Sequence, residues 1–126
     1  MKVASYNDPL ELIKDIIADQ VKVTLLCVME DKKRQAYEFV PHLPELSREQ
    51  ISELIAEVVE MGLVARKIHV RKQPHFVEYA LTNEGAMLVR CIRNMKSIGT
   101  LILDKYKENE KRRIQNKETE DILIKE

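Results

Sequence analysis

The sequence predicts a mainly α-helical fold with one small β-hairpin, and three observations carry that expectation. Apolar residues recur at helical spacing, as in Leu10, Ile13, Ile16 and Ile17. After Gly62 the repeat shortens to the two-residue period of a strand. A second short run, Phe76 to Leu81, then ends in Thr82-Asn83-Glu84-Gly85, a polar cap followed by one of only three glycines in 126 residues. A chain of this length makes a single domain with appendages, and we place it at residues 1–106 with a charged C-terminal tail at 107–126.

The elements follow in order. Asn7 or Asp8 before Pro9 is a polar cap with proline in the first turn, so a helix starts there and carries the first apolar stripe. A break near Asp19 and Gln20 separates it from VKVTLLCVM, a largely buried helix that includes Cys27 and ends in the charged cluster EDKKRQ. A short element around Tyr37, Phe39 and Val40 is stopped by Pro41 and Pro44. Ser47 caps the next helix, which turns Ile51, Leu54, Ile55, Val58 and Val59 inward and Arg48, Glu49, Ser52, Glu53 and Ala56 outward. Gly62 ends it.

Beyond Gly62, Val64, Ile68 and Val70 point one way and Ala65, Lys67, His69 and Arg71 the other, which predicts a half-buried strand. Lys72 to His75 turn the chain, and Val77, Tyr79 and Leu81 share one face of the returning strand. Two strands alone are only marginally stable, so the hairpin must pack on helices. Thr82 caps a last helix with Glu84 in its favourable first turn. Gly85 lowers helix propensity there, so its reason is close approach to a neighbouring backbone.

This order of helices followed by strand, basic turn, strand and capped helix is that of a winged helix-turn-helix domain. "VKVTLLCVM", "YEFVPHLPELSREQISELIAEVVEMGLVARK" and "PHFVEYALTNEG" together resemble the HxlR-type family of winged-helix transcription regulators, architecturally related to the MarR and PadR groups. The resemblance runs through about residues 10 to 100. Pro74, Val77, Glu78, Tyr79, Leu81, Thr82 and Gly85 match the family's wing run, and Gly62, Leu63 and Val64 match the step that ends its recognition helix. It implies a DNA-binding regulator acting as a symmetric dimer joined through helices at both chain ends.

Members commonly carry a Cys before the core helix and Gly-Lys-Trp at its start, whereas this chain reads ADQVKVT and has no Trp. A thiol-sensing role therefore has little support here. The recognition helix also presents Glu49 and Glu53, which phosphates repel, although a carboxylate can accept from a cytosine amino group.

Charge narrows the partners. Lys and Arg number 21 against 21 Asp and Glu, so no global basic footprint marks a nucleic-acid binder and the signal must be local. Arg66, Lys67, Arg71 and Lys72 form an acid-free cluster with His69 and His75, while Glu45 to Glu60 holds five Glu against Arg48 alone. We expect Ser47, Arg48, Ser52, Arg66, Lys67, Arg71, Lys72 and His75 to contact double-stranded DNA, with the hairpin tip flanking a minor groove. Lys111, Arg112 and Arg113 are a solvated face before they are a second contact. The alternative is a protein-interaction module whose acidic helix face meets a basic partner.

The last helix carries Met87, Leu88, Cys91, Met95, Ile98, Ile102 and Tyr106, a stripe too long for one small domain to cover. Leu10, Ile13, Ile17, Ile98, Ile102 and Tyr106 are the expected homodimer contacts, and beyond Tyr106 a solvated helical continuation frays. His69 and His75 lack further ligands nearby in sequence, so no metal is expected. Cys27 and Cys91 read as reduced, buried thiols. No phosphate loop, GxSxG or HExxH is present, so neither an enzyme nor a cofactor is expected. With no apolar run near the roughly 18 residues of a membrane span, and no signal-peptide core, the expected location is cytoplasmic.

Overall fold

The computed structural model describes residues 1–123, with side chains described to residue 116; positions 124–126 of the expected tail lie outside the described residues. Four α-helices and one hairpin make the fold: α1 Pro9–Ala18, α2 Gln20–Val28, α3 Arg48–Glu60, β1 Val64–His69, β2 Phe76–Leu81 and α4 Asn83–Leu123. The chain divides into two compact units, Met1–Cys91 and Ile92–Glu126, and α4 begins in the first.

In the first unit each α-helix starts at a side-chain cap. Asp8 accepts from the Leu10 amide at 3.0 Å with Pro9 at the first position of α1. Asp19 ends α1 and caps α2, accepting from the Lys22 amide at 3.3 Å. At α3, Ser47 Oγ accepts from the Gln50 amide at 3.1 Å while Gln50 Oε1 accepts from the Ser47 amide at 2.8 Å, a reciprocal capping box. Between α2 and α3 a 3-10 helix, Ala36–His42, runs through Pro41 and buries Phe39, so that proline does not stop the element as expected. Proline's fixed φ of about −65° lies within the 3-10 range, so Pro41 removes one amide donor without forcing the backbone out of the turn.

Ile16, Leu25, Leu26, Phe39, Leu43, Ile51, Ile55, Val58 and Val89 form the buried centre of this unit. The hairpin pairs Val64 with Leu81 through His69 with Phe76, antiparallel. Arg34 adds a short third rung: its amide donates to the Tyr79 carbonyl at 2.9 Å and its carbonyl accepts from the Tyr79 amide at 2.7 Å. Of β1 only Val64 is fully buried. Ile68 and Val70, expected on a covered face, are more than half exposed, because the hairpin leaves the helices beyond its root.

That root is locked to the start of α4. Gly62 has φ +80°, a conformation that side chains resist, and it closes α3. Thr82 Oγ1 donates to the Gly62 carbonyl at 2.6 Å and accepts from the Gly85 amide at 3.1 Å. The Thr82 amide donates to the Leu63 carbonyl at 3.0 Å. A Cβ on Gly85 would sit 2.0 Å from that same Leu63 oxygen, so the close backbone approach expected from the sequence is real.

Of the apolar stripe expected on α4, Leu88 is buried and the other members stand at the surface. Leu88, Val89 and Ile92 are buried, whereas Met87, Cys91 and Met95 are exposed. A three-plus-one spacing selects that inward face, and Met87 and Cys91 stand beside it. Cys91 is therefore not the buried thiol expected, and Cys27 is only half-buried. In the second unit Ile98, Leu101, Ile102, Leu103 and Tyr106 are all more than half exposed. The helix continues past Tyr106 to Leu123, held on its surface by the ion pair of Arg112 with Glu108 at 3.1 Å.

Candidate nucleic-acid interface

Two elements of the first unit present the residues expected at DNA. On α3 the inward face is apolar, so Arg48, Glu49, Ser52, Glu53 and Ala56 are left on the exposed side. Among the described residues Arg48, Glu49 and Glu53 make no ion pair, and their charges are open to whatever approaches. Ser47 is exposed too, but its oxygen is engaged as the α3 cap.

The hairpin supplies the second element. Arg66, Lys67, Arg71, Lys72 and His75 are all exposed. Lys72 Nζ lies 5.8 Å from the Phe76 ring centroid, and the His69 ring stacks on that same phenyl with centroids 4.4 Å apart. Glu78 is the hairpin's one acid, and its Oε1 lies 2.6 Å from His69 Nε2, at an angle that makes no hydrogen bond. The sequence places His69 among basic residues and gives no sign of its acidic neighbour, because a diagonal cross-strand contact is set by register.

The two elements meet in a groove of about 330 Å³ whose walls include Ser52, Ala56 and Glu60 of α3 and Arg66 and Tyr79 of the hairpin. Ser52 and Arg66 thus line the same groove. Arg71, Lys72 and His75 belong to the outer end of the hairpin, beside a second open hollow lined by Ile68 to Lys72.

Glu57 of α3 has a different setting from Glu49 and Glu53. It counts among the five acids of its stretch, yet it belongs to no exposed acidic face. Its Oε1 accepts from Lys22 Nζ of α2 at 2.7 Å and lies 3.3 Å from the Met1 ammonium. The Lys22 hydrogen bond, with the Met1 ammonium adding to it, holds the Glu57 carboxyl below the usual carboxylate range against the opposing effect of burial. Lys22 itself is 2 % exposed. Its place inside the apolar run VKVTLLCVM is the signal that points to such a pair, since a lysine buried there needs a carboxylate.

Helix, turn and capped recognition helix, then a basic hairpin returning to a long helix, define a winged helix-turn-helix protein. The sequence model of the HxlR-like helix-turn-helix family matches residues 16–107, and the chain belongs to that family. Its fold is shared by a transcriptional regulator of the MarR family from Enterococcus faecalis V583, with TM-score 0.71 at 22% identity over 82% of this chain and 96% of that one. The redox regulator HypR in its reduced form is similar at 28% identity, TM-score 0.67, over 80% of this chain and 99% of that one. The reduced form of the transcriptional regulator YodB from B. subtilis gives TM-score 0.65 at 20% identity, over 73% and 90%. No curated protein sequence matches the chain. No described helix is long and apolar enough to cross a membrane.

Proposed function

We propose that this HxlR-like protein is a homodimeric transcriptional regulator that binds double-stranded DNA with the hairpin on the backbone and α3 towards the bases. The observation that carries the reading is the hairpin: every Arg and Lys between Val64 and Leu81 is exposed, and the single acid there sits against a histidine. Phosphate contact by such residues is independent of sequence, whereas the outward side chains of α3 have the reach and donor variety for base edges. Arg48 is suited to guanine, and Ser52 to either partner in a pair.

Dimerisation is supported by apolar surface left without cover in both units. Leu10 is 76% exposed, and Ile98, Ile102 and Tyr106 are each over half exposed. Ile13 and Ile17 are half-buried, leaving area for a second subunit. Burying such side chains is worth about 1.5–3 kcal/mol each. Family membership supports DNA and a second copy of this chain as the partners, a cytoplasmic setting, and a role without catalysis.

Fluorescence anisotropy with mixed genomic duplexes at several salt concentrations tests the DNA reading, alongside light scattering for the dimer. Binding should weaken steeply with salt. Salt-independent binding, or none, would leave the exposed carboxylates of α3 as the site for a basic protein. A monodisperse monomer at micromolar concentration would refute the dimer.

A further inference from the structure

We infer that Lys22 is a positioning residue for the reading helix: its ion pair with Glu57 sets the rotation of α3 against α2 and so aims Arg48 and Ser52. The inference rests on the reading of α3 as the base-facing element. Lys22 is the one buried charged residue among those described. Its ammonium bridges two helices, donating to Glu57 of α3 at 2.7 Å and lying 3.6 Å from Asp19, the residue that caps α2. Asp19 therefore fixes the start of α2 and one side of the ammonium at once.

The apolar side chains of α3, Ile51, Leu54, Ile55 and Val58, seat the helix on the core, but the hydrophobic attraction itself has no direction. A charge-assisted hydrogen bond has direction and a narrow range of length. Glu57 lies on the flank of α3 between the buried side and the exposed one, where such a bond acts on rotation most directly. With side chains a helix is about 10–12 Å across, so a turn of roughly 20° carries outer atoms by about 2 Å. That displacement exceeds the tolerance of a hydrogen bond to a base edge. A buried ion pair is weak evidence for stability against an apolar pair of similar volume, so its use lies in orientation.

The test compares the wild-type protein with Lys22→Met and with Lys22→Met/Glu57→Leu, which replaces the pair by apolar side chains. Anisotropy is measured on the duplex that the wild type selects from a random pool and on a scrambled duplex. The double variant should be folded with an unchanged or raised melting temperature. Its discrimination between the two duplexes should fall by about tenfold, the scale of one misread base pair. Its salt slope should stay at the wild-type value because the hairpin still meets the phosphates. Amide resonances of Arg48 to Ser52 in the DNA-free protein should shift, although Arg48 lies more than two turns from Glu57.

Full discrimination by a folded double variant, with unshifted α3 resonances, would overturn the inference. Should that variant fail to fold, Glu57→Gln keeps the shape and weakens the bond, and the same two measurements decide. A wild type that selects no sequence would refute base reading by α3, and the DNA-free resonances would still decide whether Lys22 positions the helix.

Discussion

The outward face of α3 and the hairpin both belong to the candidate interface, yet they are built by opposite means. α3 rests on a buried side of Ile51, Leu54, Ile55 and Val58, and it presents a mixture of one base, the carboxylates Glu49, Glu53 and Glu60, and small or uncharged residues. The hairpin is buried only at Val64, and its charged side chains are basic apart from Glu78. A firmly seated surface with mixed charge suits discrimination, since a carboxylate is repelled by phosphate and rewarded only by a correctly placed donor. A projecting basic ribbon suits attraction that does not depend on sequence. On the proposed reading, affinity and selectivity belong to different elements.

The sharpest way to break the contrast is to remove the anchor that both elements share. Gly85→Ala forces a methyl group against the Leu63 carbonyl, where the space is 2.0 Å. Helix propensity alone would favour alanine by about 1 kcal/mol, but overpacking costs about 1–3 kcal/mol, and this contact is with backbone. Thermal unfolding should show a clear net loss of stability, and a higher melting temperature would overturn the packing account.

The hairpin comes next. Arg71→Ala with Lys72→Ala should weaken binding to all duplexes similarly, and the slope of log K against log salt should fall by about 0.9 for each phosphate that is no longer neutralised. A weakening confined to one duplex sequence would transfer base reading to the hairpin.

Smaller and opposite in sign is Glu49→Gln with Glu53→Gln, which removes two carboxylates that no ion pair occupies among the described residues. Binding to scrambled duplexes should strengthen a few-fold by loss of repulsion, while preference for the selected duplex should narrow. Weaker binding to every duplex would mean that these carboxylates do not face the phosphates.

The smallest effect separates Glu57 from its neighbours by pH. Its carboxyl gives up its proton at lower pH in the folded state than when unfolded, chiefly through the Lys22 hydrogen bond. The stability that it contributes is therefore complete above the ordinary carboxylate value of about 4.3 and is lost as the pH falls through the lower folded value. Melting curves of the wild type and Glu57→Gln should differ at about pH 6 and converge towards about pH 3, settings on either side of that ordinary value. A difference that persists in acid would assign the stability to shape and not to charge.

Much of this protein was legible in its sequence for a local reason. Caps at Asp8, Ser47 and Thr82, the positive φ of Gly62 and the existence of the two hairpin strands depend on residues within a few positions of one another, so spacing alone determines them. The close approach at Gly85 was also inferable, because a glycine in a first helical turn otherwise only weakens the helix. Tertiary structure decided what pairs across distance. Only packing could show that Leu63 is the backbone meeting Gly85, that Arg34 pairs with Tyr79, and that Ile68 and Val70 project beyond the helices. It likewise paired Glu57 with Lys22, 35 positions away. A charge is written in the sequence, but whether it faces water or a buried partner depends on which elements fold against it, and that partnership has no period to read.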